Sequence, residues 1–507
     1  MSPIDEKKPI ETGSSLDSKA LMDSIDPKAE RRLLMKLDLV IYPVFFVIYT
    51  MSFLDRINIS NAKIQGMTED LDFYGNRFPV ALFVSGPLPQ GPLFHGVTDS
   101  CYQVYYISYI LLEIPSNMII KKVRPSLYLS SLMFIWGIVN MCMGFVHSYG
   151  ALVGLRFLLG VFEAGVLPGI IYVTSMYYKR HEFQKRMSFF FCSTVVAGAF
   201  GGLLAFGISK MGGTNGLAAW RWIFIIEGAA TSLLAIVAAF LVIDWPEQTR
   251  YLDAEEKELL RRRMAADVGD SCHMDTLNKF SWRLIWTDYK IWLGALIYMG
   301  VGVPGLAGTF FLPTILLEFG WEAQEAQIRT IPIYIFAAGT MLMGAWASDK
   351  LKHRFGFILG GTAMVTIGYG MLLDQEGRSR DYKFGAVFPV FGGAYMVTPM
   401  ALGWLQNNLS GHWKRSFGAS TQITIGNIAG IVGANLFPAH DYPNYTMGYS
   451  VSLGFMWLGG LCAALMALLM WRENKKRAAG LRDDRLGLPE EDRVNMGDYH
   501  PSFRFTL

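Results

Sequence analysis

Four short stretches put ionisable side chains among almost wholly apolar neighbours. FLDRINISNA carries Asp55, Arg56 and Asn58; GLRFLLGVFEAG carries Arg156 and Glu163; WRWIFIIEG carries Glu227; LLEIPSN carries Glu113. A carboxylate beside a guanidinium keeps a low pKa, and one in a dry apolar pocket has a raised pKa. A group that swings between those settings loads and releases a proton. Arginine binds a carboxylate through two parallel hydrogen bonds. An anion competing with Asp55 or Glu163 for an arginine therefore links its own occupancy to protonation. Arg156 and Glu163 are seven residues apart, on one helix face and about 10 Å from each other. The alternative for each pair is an ion pair that only fixes helix register. For Glu113, two residues before Pro115, that structural reading is favoured. For Glu227, close to Arg221, the two readings stand level.

The elements that must hold these groups are membrane spans. The chain has 507 residues, 52% apolar and only 17% charged, against about 25% charged in soluble domains. A helix needs about 20 mostly apolar residues to cross the hydrocarbon core. Twelve stretches qualify: Leu37–Ala62, Val104–Ile120, Leu127–Val146, Ala151–Tyr177, Ser188–Ile208, Trp222–Ile243, Ile291–Leu317, Thr330–Ala347, Gly356–Leu373, Phe384–Leu405, Phe417–Phe437 and Gly448–Trp471. They form two groups of six around a polar stretch, Asp244–Tyr289. Helical spans satisfy their own backbone, so the expected fold class is all-α, twelve transmembrane helices in two six-helix bundles. The domains read as a disordered tail over 1–36, a bundle over 37–243, a central loop over 244–289, a second bundle over 290–472 and a polar tail over 473–507. With the tails inside, twelve Lys and Arg lie in the four short inner loops and eight on the outer side. That bias puts both termini in the cytoplasm. No cleavable signal peptide is expected in the polar first 36 residues.

Span two is only 17 residues by this reading. Before it lies Val84–Gln103, with three prolines and three glycines, a poor membrane helix. Removing those 20 residues joins Val80–Phe83 to Val104–Ile120 as one 21-residue span, and Val-Ser and Tyr-Gln can be encoded by intron boundary sequences. The segment is read as a retained intron, with a genuine extended outer loop as the alternative.

Other signals are weaker. Gly300–Gly305 matches GxGxxG but lies inside an apolar span, so it reads as a loosened helix rather than a nucleotide fingerprint. The chain has no Gly-Lys pair and hence no Walker A loop. Trp404, Asn407 and Asn408 close span ten, and Asn427 lies in span eleven. Intramembrane amides contact a substrate or glue helices. Net charge is +3, which argues against nucleic acid, and five dispersed cysteines suggest neither disulfides nor zinc.

Together FLDRINISNAKI, EIPSN, RFLLGVFEAGVLPG, WRWIFIIEG and NNLSGHWKRSFGASTQITIGNIAG resemble the fungal allantoate-permease branch of the anion:cation symporters, within the major facilitator superfamily. The likeness covers Lys36 to Lys476 and includes the central-loop sequence Pro246–Leu252. It implies alternating access and cotransport of an organic anion, such as allantoate, nicotinate or pantothenate, with protons. It also implies that Asp55 and Glu163 exchange protons while Arg56 binds the anion. The expected substrate contacts are Arg56, Asn58, Arg156, Trp404, Asn407, Asn408 and Asn427, and Asp349 with Arg354 form the expected gating latch. Departures from the pattern are Ala345, where the superfamily usually has Gly, and Val84–Gln103. The expected partners are a small organic anion, protons and the lipid bilayer, for a monomeric multi-pass protein of the plasma membrane. No cofactor, metal, nucleic acid or enzymatic activity is expected. The rival readings are a transporter-like nutrient sensor and an inactive mis-spliced isoform.

Overall fold

The computed structural model describes residues 26–71, 96–120, 122–268, 279–351, 353–437, 444–487 and 496–507, with Asp441, Pro489 and Asp492 between them. The described residues are helical, with no strand among them. The N-terminal half holds α1 (Pro27–Ile64), α2 (Gly96–Ile120), α3 (Pro125–Met143), α4 (Tyr149–Glu163), α5 (Val166–Ser175), α6 (Arg180–Ser209) and α7 (Ala219–Leu241). Two short helices, α8 (Ala254–Val268) and α9 (Lys279–Trp286), lie in the central stretch. The C-terminal half holds α10 (Tyr289–Glu318), α11 (Ala323–Leu351), α12 (Phe355–Leu373), α13 (Arg380–Asn407), α14 (His412–Ala434) and α15 (Thr446–Ala478). Helices α4 and α5 are two pieces of one crossing. Among the described residues ten spans meet the length and apolarity of a membrane crossing, and α2 and α14 complete twelve.

Several boundaries differ from those read off the sequence. Helix α1 begins at Pro27, because Asp26 accepts from Lys28 N at 3.0 Å and Pro27 has its φ preset for a first turn. Residues 27–36 are therefore helical, and 1–25 lie outside the described residues. Helix α2 begins at Gly96, so residues 96–103 of the suspected insert continue that helix, and 84–95 lie outside the described residues. GxGxxG is not loosened: α10 runs unbroken through Gly300–Gly305. Gly300 lets α15 approach, since a Cβ there would sit 2.7 Å from the Cα of Gly459.

Packing follows the same principle elsewhere. Hydrocarbon gives no hydrophobic drive between helices, so small residues let backbones close. On α3 and α7, a Cβ on Gly228 would lie 2.3 Å from Met141 N. Large apolar side chains such as Leu39, Leu111, Leu233, Ile335 and Leu461 point outward, where lipid covers them. The central stretch is tied down by Arg263 of α8. It is wholly buried, donates to Glu30 of α1 and Glu182 of α6, and bonds Tyr177 O. The halves meet where Ser60 Oγ donates to Phe310 O at 3.0 Å, where Gly198 underlies the Tyr334 ring, and along α2 and α14.

Candidate functional site

Helix α4 ends on Glu163 because Pro168 has no N–H to reach the Ala164 carbonyl one turn back. The crossing resumes at Val166, and the Gly165 link lies so close to α2 that a Cβ there would sit 2.0 Å from Ser116 Oγ. This break leaves Glu163 aimed at α1. Its Oε1 accepts from Ser52 Oγ at 2.5 Å and from Arg56 Nη2. Ser52 and Arg56 are four apart and share a helix face. Both members of the ion pair are buried, Glu163 completely and Arg56 to 5% exposure. The guanidinium also lies 5.6 and 5.5 Å from the ring centres of Tyr105 and Tyr109 on α2. Tyr106, edge-on to Tyr105 at 5.0 Å, reaches across to Phe310 of α10 and covers Gly430 of α14. The pair keeps spare capacity: Glu163 Oε2 and Arg56 Nε are buried without a hydrogen-bond partner. Such a site can exchange one carboxylate for another on the arginine, inside an aromatic wall.

Asp55 points elsewhere. Adjacent residues on an α-helix are about 100° apart, so Asp55 and Arg56 cannot serve one cluster. The Asp55 carboxylate accepts from Trp136 Nε1 at 3.1 Å, Asn140 Nδ2 at 2.6 Å and Thr231 Oγ1 at 3.0 Å, between α3 and α7. Arg156 donates to the backbone carbonyl of Asp55 at 3.3 Å, and its guanidinium lies 5.5 Å from the Phe224 ring centre. Asn58 faces Glu227 in this inner chamber; both amide atoms and both carboxylate oxygens are buried without a partner by strict geometry. These buried groups therefore form two sites, Arg56–Glu163 toward the C-terminal half and Asp55–Arg156–Glu227–Asn58 inside the N-terminal half. Arg156 reaches the Asp55 carbonyl and Glu163 reaches Arg56, so the two groups of α4 meet adjacent residues of α1. Sequence reasoning missed the partners. Trp136 and Asn140 at i, i+4 in an otherwise apolar span, and Tyr105 and Tyr109 at the same spacing, were the available signals.

In the C-terminal half two expected substrate contacts, Trp404 and Asn408, are occupied by the chain's own tail, and a third, Asn407, by Arg354. Trp404 Nε1 and Asn408 Nδ2 donate to Thr506 O at 2.9 and 3.0 Å, and Asn408 Oδ1 accepts from Thr506 N at 2.8 Å. Asn407, with its amide oxygen turned to Arg354, accepts from Nη1 at 2.8 Å and Nη2 at 2.9 Å. All three lie at the end of α13, on the face that carries the termini, where the folded-back tail partners the side chains of Trp404 and Asn408. Asp349 and Arg354 do meet, loosely, at 3.9 Å. Burial brings Arg354 down to about 10, with Asp349 opposing the drop. Asn427 is the one expected amide that reaches the other half: its Nδ2 donates to Glu113 Oε2 at 3.4 Å. The interior of this half is aromatic and hydroxylic. Tyr395 OH is 3.2 Å from Thr309 Oγ1, and Tyr334 stands edge-on to Phe391 and Tyr395. Among the described residues no group of three or more His, Cys, Asp or Glu could hold a metal.

The sequence profile of the Major Facilitator Superfamily matches residues 45–434. An uncharacterized transporter of Schizosaccharomyces pombe is 32% identical over 488 residues, 95% of this chain and 91% of the relative. The high-affinity nicotinic acid transporter of Saccharomyces cerevisiae is 29% identical over 483 residues, 94% of this chain and 85% of that one. Among solved structures, the proton:xylose symporter XylE superposes with a TM-score of 0.60 at 17% identity, covering 85% of this chain and 95% of its own.

Proposed function

The chain belongs to the major facilitator superfamily, and from that premise we propose that this multi-pass transporter moves a small organic monocarboxylate together with protons. One observation carries the reading. A buried arginine and glutamate pair inside a tyrosine wall, with an N–H and a carboxylate oxygen left over. Buried charge at mid-membrane is expensive and marks a pathway by default. Protonating Glu163 removes its hold on Arg56. The freed guanidinium then takes the substrate carboxylate through two N–H donors. Return of Arg56 to ionised Glu163 expels the anion on the far side and releases the proton. The substrate carboxylate and the Glu163 carboxylate thus compete for one cation, the proton decides which of them holds it, and neither passenger nor proton crosses alone.

Asp55 serves as a second proton site in the inner chamber, with Glu227 as its partner acid and Arg156 as the cation that biases both. Asn427 binds the polar rim of the substrate, and Asn58, turned to Glu227, belongs to the inner chamber. Trp404 and Asn408 belong to the tail seat instead, and Asn407 to Arg354. A planar aromatic carboxylate of the nicotinate kind suits a wall made of Tyr105, Tyr106 and Tyr109, and the 29% identity to a nicotinic acid transporter supports that class. We place both termini in the cytoplasm on the Lys and Arg bias of the loops, and propose a monomer in the plasma membrane.

The test is uptake of labelled nicotinate, pantothenate and allantoate into proteoliposomes, with and without an inward pH gradient. The reading expects one of these to accumulate uphill only with the gradient. Glu163→Gln keeps an oxygen for Ser52 and Arg56 but cannot release a proton. It abolishes uphill accumulation and leaves substrate exchange. Unchanged uphill uptake in that variant defeats the assignment.

A further inference from the structure

The seam between α2 and α14 joins the two halves through polar side chains. Asn117 Nδ2 donates to Ser420 Oγ at 2.9 Å, Asn427 Nδ2 donates to Glu113 Oε2 at 3.4 Å, and Thr424 also faces Glu113. Glu113 and Asn117 are one turn apart on α2. Ser420, Thr424 and Asn427 form the facing row on α14, at i, i+4 and i+7. Glu113 is wholly buried, its Oε1 has no partner, and its one hydrogen bond is long. The titratable groups turned toward it are Tyr49 of α1, Tyr109 of α2 and Tyr298 of α10. Tyr109 also faces Arg56, and that cation is committed to Glu163. Among the described residues Glu113 makes no ion pair.

An ionised carboxylate so enclosed has nothing to replace its hydration. A neutral carboxylic acid, by contrast, fits. It offers an O–H to Asn427 Oδ1 or Thr424 Oγ1 while its carbonyl accepts the Asn427 amide. We propose that Glu113 is a gating residue, closing the α2–α14 seam when it holds a proton and opening the seam when it loses it. The gate deepens the proton-coupled reading above and rests on it. It adds a step that the Arg56–Glu163 exchange lacks, because it ties protonation to separation of the halves rather than to substrate binding.

The experiment labels the seam. Ser420→Cys is placed in the full chain with its five native cysteines replaced by serine, in liposomes. A hydrophilic thiol reagent then reports seam opening across pH 5 to 9. The rate is divided by that of the same protein carrying Glu113→Gln, which mimics the protonated acid. The division cancels the titration of the thiol itself. The expected ratio is near one in acid and climbs with pH, by at most about tenfold per unit for a single proton. A ratio flat in pH overturns the gate. Should the glutamine protein fail to insert, Asn427→Asp serves instead. Two facing carboxyls share one proton more tightly, so the climb moves to higher pH, and an unmoved climb overturns the proposal. In the Glu163→Gln background the climb persists while uphill uptake is lost. Loss of uptake alone in Glu163→Gln, with a flat ratio in the wild-type background, would sink the gate and leave the exchange mechanism standing.

Discussion

In the N-terminal half most buried charges lie deep within the crossings, at Asp55, Arg56, Glu113, Arg156, Glu163 and Glu227, with Arg221 the exception in the first turn of α7. In the C-terminal half they lie at the helix ends on the face that carries the termini. There Lys290 and Lys414 close around Asp288 and Asp498, and Arg477 bonds the carbonyls of Asp498, His500 and Phe503. The interior of that half offers Thr309, Tyr334, Phe391 and Tyr395 instead. Two bundles with the same helix count thus handle charge differently. Near a helix end, a lysine and a carboxylate can be desolvated together and stay paired through any rigid rotation of the half. In mid-membrane a pair that stayed closed would be dead weight, since a similar apolar pair is often as stable. On the proposed mechanism, the contrast reads as a first half that exchanges partners and a second that keeps them.

Removing Arg56 tests the exchanging half most harshly. Arg56→Ala leaves Glu163 in an apolar site with only Ser52. Breaking a buried pair costs about 3–5 kcal/mol unless the survivor takes a proton. Uptake should be lost, with substrate affinity falling by about 10- to 100-fold for the charged hydrogen bonds removed. Arg56→Lys should rescue poorly, because an ammonium lacks the planar fork. Binding titrations and thermal unfolding on the same protein separate the two effects. Normal affinity in Arg56→Ala would make the pair a structural rivet and erase the contrast.

The sequence made the spans and the intramembrane charges legible because both are local signals: apolar length, and a charge inside it. Which charges meet was less legible. Asp55 and Arg56 are neighbours in the chain, yet helical rotation sends one to Trp136, Asn140 and Thr231 and the other to Glu163. The role of Trp404, Asn407 and Asn408 was not legible at all. The partner of Trp404 and Asn408 lies about a hundred residues on, in a polar tail with no apolar periodicity to announce that it folds back, and that of Asn407 is Arg354 at the start of α12. Glu113 looked structural from Pro115 nearby. Its position opposite Asn427 is a fact of the interface between halves, which no spacing within α2 encodes.

Asp498 tests the keeping half. Burial works against its charge, but Lys290 and Lys414 outweigh it and hold the carboxyl well below the usual carboxylate range. A depressed folded pKa gives stability that is full above the unfolded value, about 3.9, and fades only as pH falls through the folded one. Tail docking should therefore survive acidification to about pH 4 as far as Asp498 is concerned. Asp498→Asn leaves two buried lysines with only Asp288. Its effect should be smaller than that of Arg56→Ala on uptake but large on the tail: protease cutting within 496–507 rises while transport continues. Transport that stops in a folded Asp498→Asn protein would show that the tail knot also takes part in exchange.

The smallest expected effect sharpens the contrast by its sign. His500 is half-buried, and burial, then Arg477, lower its pKa below the usual histidine value. Its Nδ1 faces Ser502 Oγ at 2.6 Å and accepts from Ser502 N at 3.2 Å, an arrangement that suits the neutral ring. The docked tail therefore prefers neutral His500. The sign is that of any depressed folded pKa. The histidine's contribution is full above its ordinary value, about 6.5, and is lost as pH falls through the lowered one. Amide exchange at Phe505 and Thr506, which donate to Asn474 and Asn408, should then be modestly faster at pH 5.5 than at 7.5 after correction for intrinsic rates. His500→Asn should remove the difference. The α2–α14 seam moves the opposite way, closing in acid. Tail amides that tightened in acid along with the seam would mean that one proton controls both halves, and the division between an exchanging half and a keeping half would fail.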